Sequence, residues 1–190
     1  MRIIAGTLKG RRLATPVGRR IRPTSDKLRE TLFNVLAPSV GGARVLDGFA
    51  GTGAIGLEAL SRGAAHVTFV DAGRDALALI ATNVAHCGLR EGYAIIRATM
   101  AEAVDRLSNE RFDLIVLDPP YDHPQRDSML ADVGGLLARD GVLVIEHARR
   151  DAMPTIAGAL AWRRDVTSGD SALSFYGWPA AAAGGRDGRD

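Results

Sequence analysis

The sequence predicts an α/β fold: seven strands in a mostly parallel sheet, helices on both faces, and a small basic β-hairpin and helix extension at the N-terminus. Three observations predict it. Short apolar runs alternate with segments of helical periodicity from Arg44 to Glu146, the pattern of a parallel sheet with crossover helices. The strands read as continuous apolar runs, as expected when both faces are buried. A glycine-rich turn, Gly51-Thr52-Gly53-Ala54-Ile55-Gly56, follows the first run and opens a helix.

Residues 1–23 read as short strands and turns, punctuated by Gly6, Gly10, Pro16, Gly18 and Pro23. Thr24 or Ser25 can cap a helix running to about Leu36, with Leu28, Leu32, Val35 and Leu36 at helical spacing; Pro38 and Gly41-Gly42 end it. Strands follow at 44–47, 66–71, 93–97, 113–117 and 142–146, with helices at about 53–62, 74–87, 100–107 and 127–137. Residues 162–167 and 172–176, linked by Ser168-Gly169-Asp170-Ser171, read as a closing antiparallel pair. This divides the chain into a basic extension (1–40), a main domain (41–178) and a low-complexity, disordered tail (179–190).

The composition, 46% hydrophobic and 24% charged over 190 residues, is that of a soluble domain with a sizeable core. No apolar run approaches the ~20 residues of a membrane span, and the start lacks a signal-peptide stretch. One cysteine, Cys87, excludes an internal disulfide; a cytoplasmic location is the expectation. The net charge of +2 hides an asymmetry: residues 1–29 carry nine Lys/Arg and one acid, the remainder 15 Lys/Arg and 21 acids. A basic arm on an acidic body points to a polyanion, most simply a phosphate backbone. Lys9, Arg11, Arg12, Arg22, Lys27 and Arg29 are the expected contacts.

Ligands in such sheets bind beyond the carboxyl ends of the strands. Gly51 and Gly53 let the backbone pass close to a ligand, and Gly56 lets the next helix pack tightly. Asp71 ends the second strand, 20 residues after Gly51, where its carboxylate can meet ribose hydroxyls. This much fits a nicotinamide dinucleotide as well. Asp47 discriminates: an acid four residues before Gly51 disfavours a pyrophosphate and favours a cationic cofactor such as S-adenosylmethionine. The plainer reading of Asp47 is a strand-end carboxylate that satisfies backbone donors.

Asp118-Pro119-Pro120-Tyr121 ends the apolar run Leu114–Leu117. The exocyclic amine of a nucleobase is a poor nucleophile because its lone pair is delocalised into the ring. Two acceptors on the amine, the Asp118 side chain and the Pro119 carbonyl, drive its nitrogen toward sp3. Pro119 and Pro120 have no N–H and fixed φ, so these carbonyls are preorganised. Tyr121 can stack on the base and align the amine with a methyl group. The combination predicts methyl transfer from S-adenosylmethionine to a nucleobase amine, with no metal. The histidines His66, His86, His123 and His147 show no ligand spacing; His123 lies beside the loop, and Glu146 ends a strand on the ligand side.

The block Val45–Ala64 resembles the motif of RsmD-type 16S ribosomal RNA guanine-N2 methyltransferases. So do Arg2-Ile3-Ile4-Ala5-Gly6, Gly10-Arg11-Arg12-Leu13, the stretch 22–34, Asp118-Pro119-Pro120-Tyr121 and the stretch 169–176. The resemblance covers roughly residues 2–177. It implies a cytoplasmic, monomeric enzyme of the class I S-adenosyl-L-methionine-dependent methyltransferase fold (Rossmann-like). Its substrate would be one guanine of 16S ribosomal RNA within a small-subunit assembly particle. Carried over, Asp47, Ala50, Gly51, Gly53, Asp71 and Ala72 line the cofactor site; Asp118, Pro119, Pro120 and Tyr121 hold the guanine; Arg22 and Thr24 stand beside the active site. Many class I methyltransferases place an acid or amide after the third strand to meet the adenine amine. Here Ala98-Thr99-Met100-Ala101 occupies that stretch, leaving Thr99, with its hydroxyl, and Met100 as the expected contacts.

Three other readings compete. Amino-methylation of adenine or cytosine in DNA would normally need a separate recognition domain to read the grooves. A non-catalytic RNA-binding assembly factor would not need Asp118-Pro119-Pro120-Tyr121. A nicotinamide oxidoreductase is disfavoured by Asp47.

Overall fold

The structure, a computed structural model, describes residues 1–16 and 26–180. Five helices and eight strands follow in the predicted alternation. They are α1 (Asp26–Val40), β1 (Arg44–Gly48), α2 (Ala54–Ser61), β2 (His66–Asp71), α3 (Arg74–His86), β3 (Tyr93–Arg97) and α4 (Met100–Arg106). Then come β4 (Phe112–Leu117), α5 (Arg126–Gly134), β5 (Leu137–Ala148), β6 (Ile156–Ala157), β7 (Leu160–Ser168) and β8 (Ser171–Gly177). The sheet order is β3-β2-β1-β4-β5-β8-β7-β6. β1 to β5 pair in parallel, and the last three strands add on antiparallel.

The strands are apolar on both faces because both are covered. Val45, Leu114 and Val116 pack with α1, α2 and α3, whereas Leu46, Ile115 and Leu117 pack with α4 and α5. Neighbouring residues of one strand point to opposite faces, so two cores form, one on each side.

Four expectations need correction. The sheet has eight strands among the described residues, not seven, because Ile156–Ala157 pairs with Ala161 and Leu160 at its edge. Pro38 does not end α1. It sits in the last turn on the exposed side, where the carbonyl it leaves unpaired meets solvent, and the chain turns only at Gly42 (φ 75°). The fourth crossover helix stops at Gly134, before Leu137, because Gly134-Gly135 weaken it and Leu137 is buried opposite Phe112 in the sheet. Finally, residues 1–16 form a looped arm closed by a single antiparallel bridge, Arg2 to Arg12, rather than two full strands. The expected tail lies, from residue 181 on, outside the described residues.

The arm is seated on α2. The Glu58 carboxylate accepts from Ile4 N (2.7 Å), Ala5 N (3.0 Å) and Arg62 Nε (2.8 Å). Ser61 adds its carbonyl to Thr7 N (2.8 Å) and its hydroxyl to Leu8 N (2.9 Å). A Cβ on Gly6 (φ 79°) would lie 1.8 Å from the Ser61 carbonyl oxygen, so only glycine permits this approach. Ile3 and Leu13 are buried in the α1–α3 core. No helix among the described residues is long and apolar enough to cross a membrane.

Candidate active site

Strand order reverses between β1 and β4, and the two predicted loops leave the sheet at that point. The Asp118 N–H donates to the Gly48 carbonyl (3.3 Å), tying the loops together where they emerge.

The turn after β1 is built from left-handed backbone at Phe49 (φ 58°), Gly51 (φ 53°) and Gly53 (φ 75°). Phe49 is the one non-glycine residue with positive φ among the described residues; such strain marks positions that the surroundings impose. A Cβ on Gly56 would meet the Phe69 ring at 2.3 Å, which is how closely α2 packs on β2.

Both acids around the turn act on its backbone. Asp71 accepts from Gly51 N (2.9 Å) and Gly73 N (2.8 Å) while staying half-exposed at the mouth of the cleft. Asp47 is 1% exposed and accepts from Gly56 N (2.8 Å), so it braces the turn from beneath. Its carboxyl is pushed up to about 8, first by burial and then by the charges of Asp118 and Asp71, against the lowering effect of the Gly56 bond. The folded protein therefore keeps this proton up to about pH 8, whereas the unfolded chain gives it up near 3.8. Folding takes up a proton between these values, and stability falls as pH rises through that window. Asp47→Asn is expected to remove this dependence. Chemical unfolding from pH 5 to 8 should show wild type losing up to ~1.4 kcal/mol per pH unit relative to the variant. Parallel curves would mean Asp47 is already ionised in the folded state.

The charges of Asp71 and Asp118 thus both reach the buried Asp47 carboxyl, which they help to keep protonated. This donor set fits a cofactor carrying an ammonium and a sulfonium and opposes a pyrophosphate.

Thr99 and Met100 stand at the start of α4, just beyond β3. Thr99 caps α4: its hydroxyl accepts from Glu102 N (3.3 Å), and Glu102 accepts in turn from Thr99 N (2.9 Å). Thr99 is exposed, and its hydroxyl keeps a proton and a second lone pair for other contacts. Met100 is buried in the α4–α5 core. Ala50 is buried, donating to the Val70 carbonyl (3.0 Å), and Ala72 is exposed beside Asp71.

The second loop is held by side chains. The Tyr121 hydroxyl donates to Glu146 Oε1 (3.2 Å) and lies 2.8 Å from Ser171 Oγ. Glu146 is pushed up to about 7, by burial first and then by the neighbouring Asp118 charge. Pro119 is buried and Pro120 exposed; His123 N donates to the Pro120 carbonyl (3.0 Å). The His123 ring meets Phe49 edge-on, at 5.5 Å and 77°, bridging the two loops. A cavity of about 580 Å³ opens here, walled by Tyr121, Asp122, His123 and Arg126. Ser171 went unrecognised in the sequence, since a serine at a strand start carries no local signal. Asn83 went unrecognised too: it bonds Thr52 O (2.9 Å) and Ala14 N (2.7 Å), joining turn and arm. Its only signal was an amide on the apolar side of α3.

Among the expected RNA contacts, Lys9, Arg11, Arg12 and Lys27 are exposed. Arg11 also donates to the His86 carbonyl (2.9 Å). Arg29 is a correction: it is 0% exposed, donating to Arg2 O (2.6 Å) and Asp26 (2.9 Å) beside Glu58, and cannot reach a phosphate. Arg22 and Thr24 lie outside the described residues.

Residues 1–177 match the family described as conserved hypothetical protein 95. The chain is 36% identical over 180 residues to YlbH of Bacillus subtilis (strain 168), covering 93% of this chain and 98% of that one. It is 34% identical over 178 residues to ribosomal RNA small subunit methyltransferase D of Escherichia coli (strain K12), covering 93% and 89%. The solved structure of Escherichia coli yhhF superposes with a TM-score of 0.80 at 32% identity, covering 93% of this chain and 96% of that one.

Proposed function

The chain belongs to the conserved hypothetical protein 95 family, and on that premise we propose that it transfers a methyl group from S-adenosyl-L-methionine to the exocyclic N2 amine of a guanine in 16S ribosomal RNA. It acts in the cytoplasm, as a monomer, on the assembling small subunit. The observation that carries the reading is the meeting of Asp118-Pro119-Pro120-Tyr121 with the glycine turn where the strand order reverses.

The residues divide the work. Asp71, Gly51, Gly53 and the braced turn would hold the cofactor, which supplies an electrophilic methyl group on a sulfonium. The carboxylates of Asp71 and Asp118 favour its positive charge. Asp118 and the Pro119 carbonyl accept the two hydrogens of the guanine amine, localise its lone pair and aim it. Glu146 and Ser171 fix the Tyr121 hydroxyl, so the ring keeps one orientation at the cavity wall. Attack makes the nitrogen acidic, and Asp118 or solvent takes the proton. Lys9, Arg11, Arg12 and Lys27 dock the RNA by its phosphates.

The test is tritiated methyl transfer to small subunits from a strain lacking this gene, followed by nucleoside mass spectrometry. N2-methylguanosine at one 16S site is the expected product. Label on adenine or on DNA, or no label at all, would overturn the guanine assignment.

A further inference from the structure

A second charged wall adjoins the site at Tyr121. Directly after β5, the Asp151 N–H donates to the Ala148 carbonyl (2.9 Å), closing a tight turn with exposed Arg149 and Arg150 at its centre. The turn is fastened to the next strand connection, because the Arg149 N–H donates to the Asp170 carbonyl (2.8 Å). Arg149 and Arg150 line a cavity of about 530 Å³ together with Tyr121, Ala148 and Asp170. Tyr121 is also a wall of the 580 Å³ cavity, so the two hollows adjoin at that ring. The residues of the new wall carry net positive charge: two arginines, Arg149 and Arg150, against one acid, Asp170. Asp151 is committed elsewhere, to Arg126 at 3.0 Å.

We propose that Arg149 and Arg150 clamp the phosphates of the RNA strand beside the methylated nucleotide, in the cavity next to Tyr121. The inference rests on the reading that Tyr121 borders the nucleobase site. A stacked base cannot bring its amine to Asp118 at the end of β4. The nucleotide must be turned out of its stack, and enzymes that do this need contacts to repay the lost stacking. The phosphate of an extruded nucleotide lies one sugar away from its base, and Arg149 and Arg150 share a cavity with Tyr121. Guanidiniums suit the role because their planar fork matches two phosphate oxygens. The hydrogen-bonded turn holds their backbone in place before RNA arrives. The arm on α2 would grip more distant RNA.

The experiment compares wild type with Arg149→Glu/Arg150→Glu and Arg149→Lys/Arg150→Lys in the full chain. Binding of a fluorescein-labelled RNA stem-loop is followed by anisotropy from about 50 to 300 mM salt, alongside S-adenosylhomocysteine calorimetry and methyl transfer to small subunits. The glutamate pair is expected to weaken RNA binding at least about tenfold and flatten its salt slope by about 1.4, the value for two single-strand phosphates. Cofactor affinity should stay unchanged, KM for subunits should rise more than kcat falls, and the lysine pair should keep the slope. An unchanged slope and KM with intact cofactor binding would overturn the proposal even while wild type methylates guanine. If wild type methylates nothing but its RNA affinity depends on Arg149 and Arg150, the clamp stands and the guanine reading falls. If the glutamate pair loses cofactor binding, Arg149→Ala/Arg150→Ala decides by the same slope.

Discussion

Asp118→Ala is expected to lower single-turnover methyl transfer by about a thousandfold, while leaving affinity for S-adenosylhomocysteine within about threefold. The separation follows from what each atom of Asp118 touches. Its backbone N–H, which fastens the loop to Gly48, survives the substitution. The lost carboxylate is the acceptor that would localise the amine lone pair. Asp118→Asn keeps one acceptor oxygen for the amine and should lose less, the shortfall being the missing negative charge. A second signature accompanies the loss. The Asp118 charge helps raise both Glu146 and Asp47, so both carboxyls should ionise at lower pH in the alanine variant, readable by NMR titration. A fall in cofactor affinity as large as the fall in turnover would show that Asp118 serves the cofactor.

Glu58→Ala should cost about 3–5 kcal/mol of stability, the range for removing one partner of a buried ion pair. For a chain of this size that lowers the melting midpoint by roughly 10 °C. Glu58 is fully buried and satisfies Ile4 N, Ala5 N and Arg62, with Arg29 Nε at 3.9 Å. Its loss strands two amides and leaves the buried Arg29 with Asp26 as its remaining acid. Two atoms of that guanidinium, Nε and Nη1, already lack a hydrogen bond. Glu58→Gln keeps an acceptor and should lose less. Urea unfolding gives the magnitude, and limited proteolysis should cut the arm of the alanine variant first. A loss under about 1 kcal/mol would mean that burial of Ile3 and Leu13 holds the arm unaided.

The strands were legible because burial on two faces writes itself as unbroken apolar runs, and the turn because its glycines take backbone that side chains resist. The order in which the strands pair was not written locally. What the sequence hid were partnerships between distant residues. Nothing in the sequence set Glu58 apart, and Arg29 read as one more cation of a basic arm. Burial decides both, since a charge in the core needs a partner. Asp47 had two readings from spacing alone; the Gly56 bond and its depth favour the brace.

Because α2 starts at the glycine turn and ends under the arm, with Asn83 fastened to both, the extension cannot be treated as an interchangeable cassette. A chain begun at residue 41 would lose the frame that fixes the turn. An arm borrowed from a relative would have to offer its amides to Glu58, Ser61 and Asn83 as this one does. The seat of the arm and the shape of the glycine turn are set by one piece of structure, so a change to either is felt by the other.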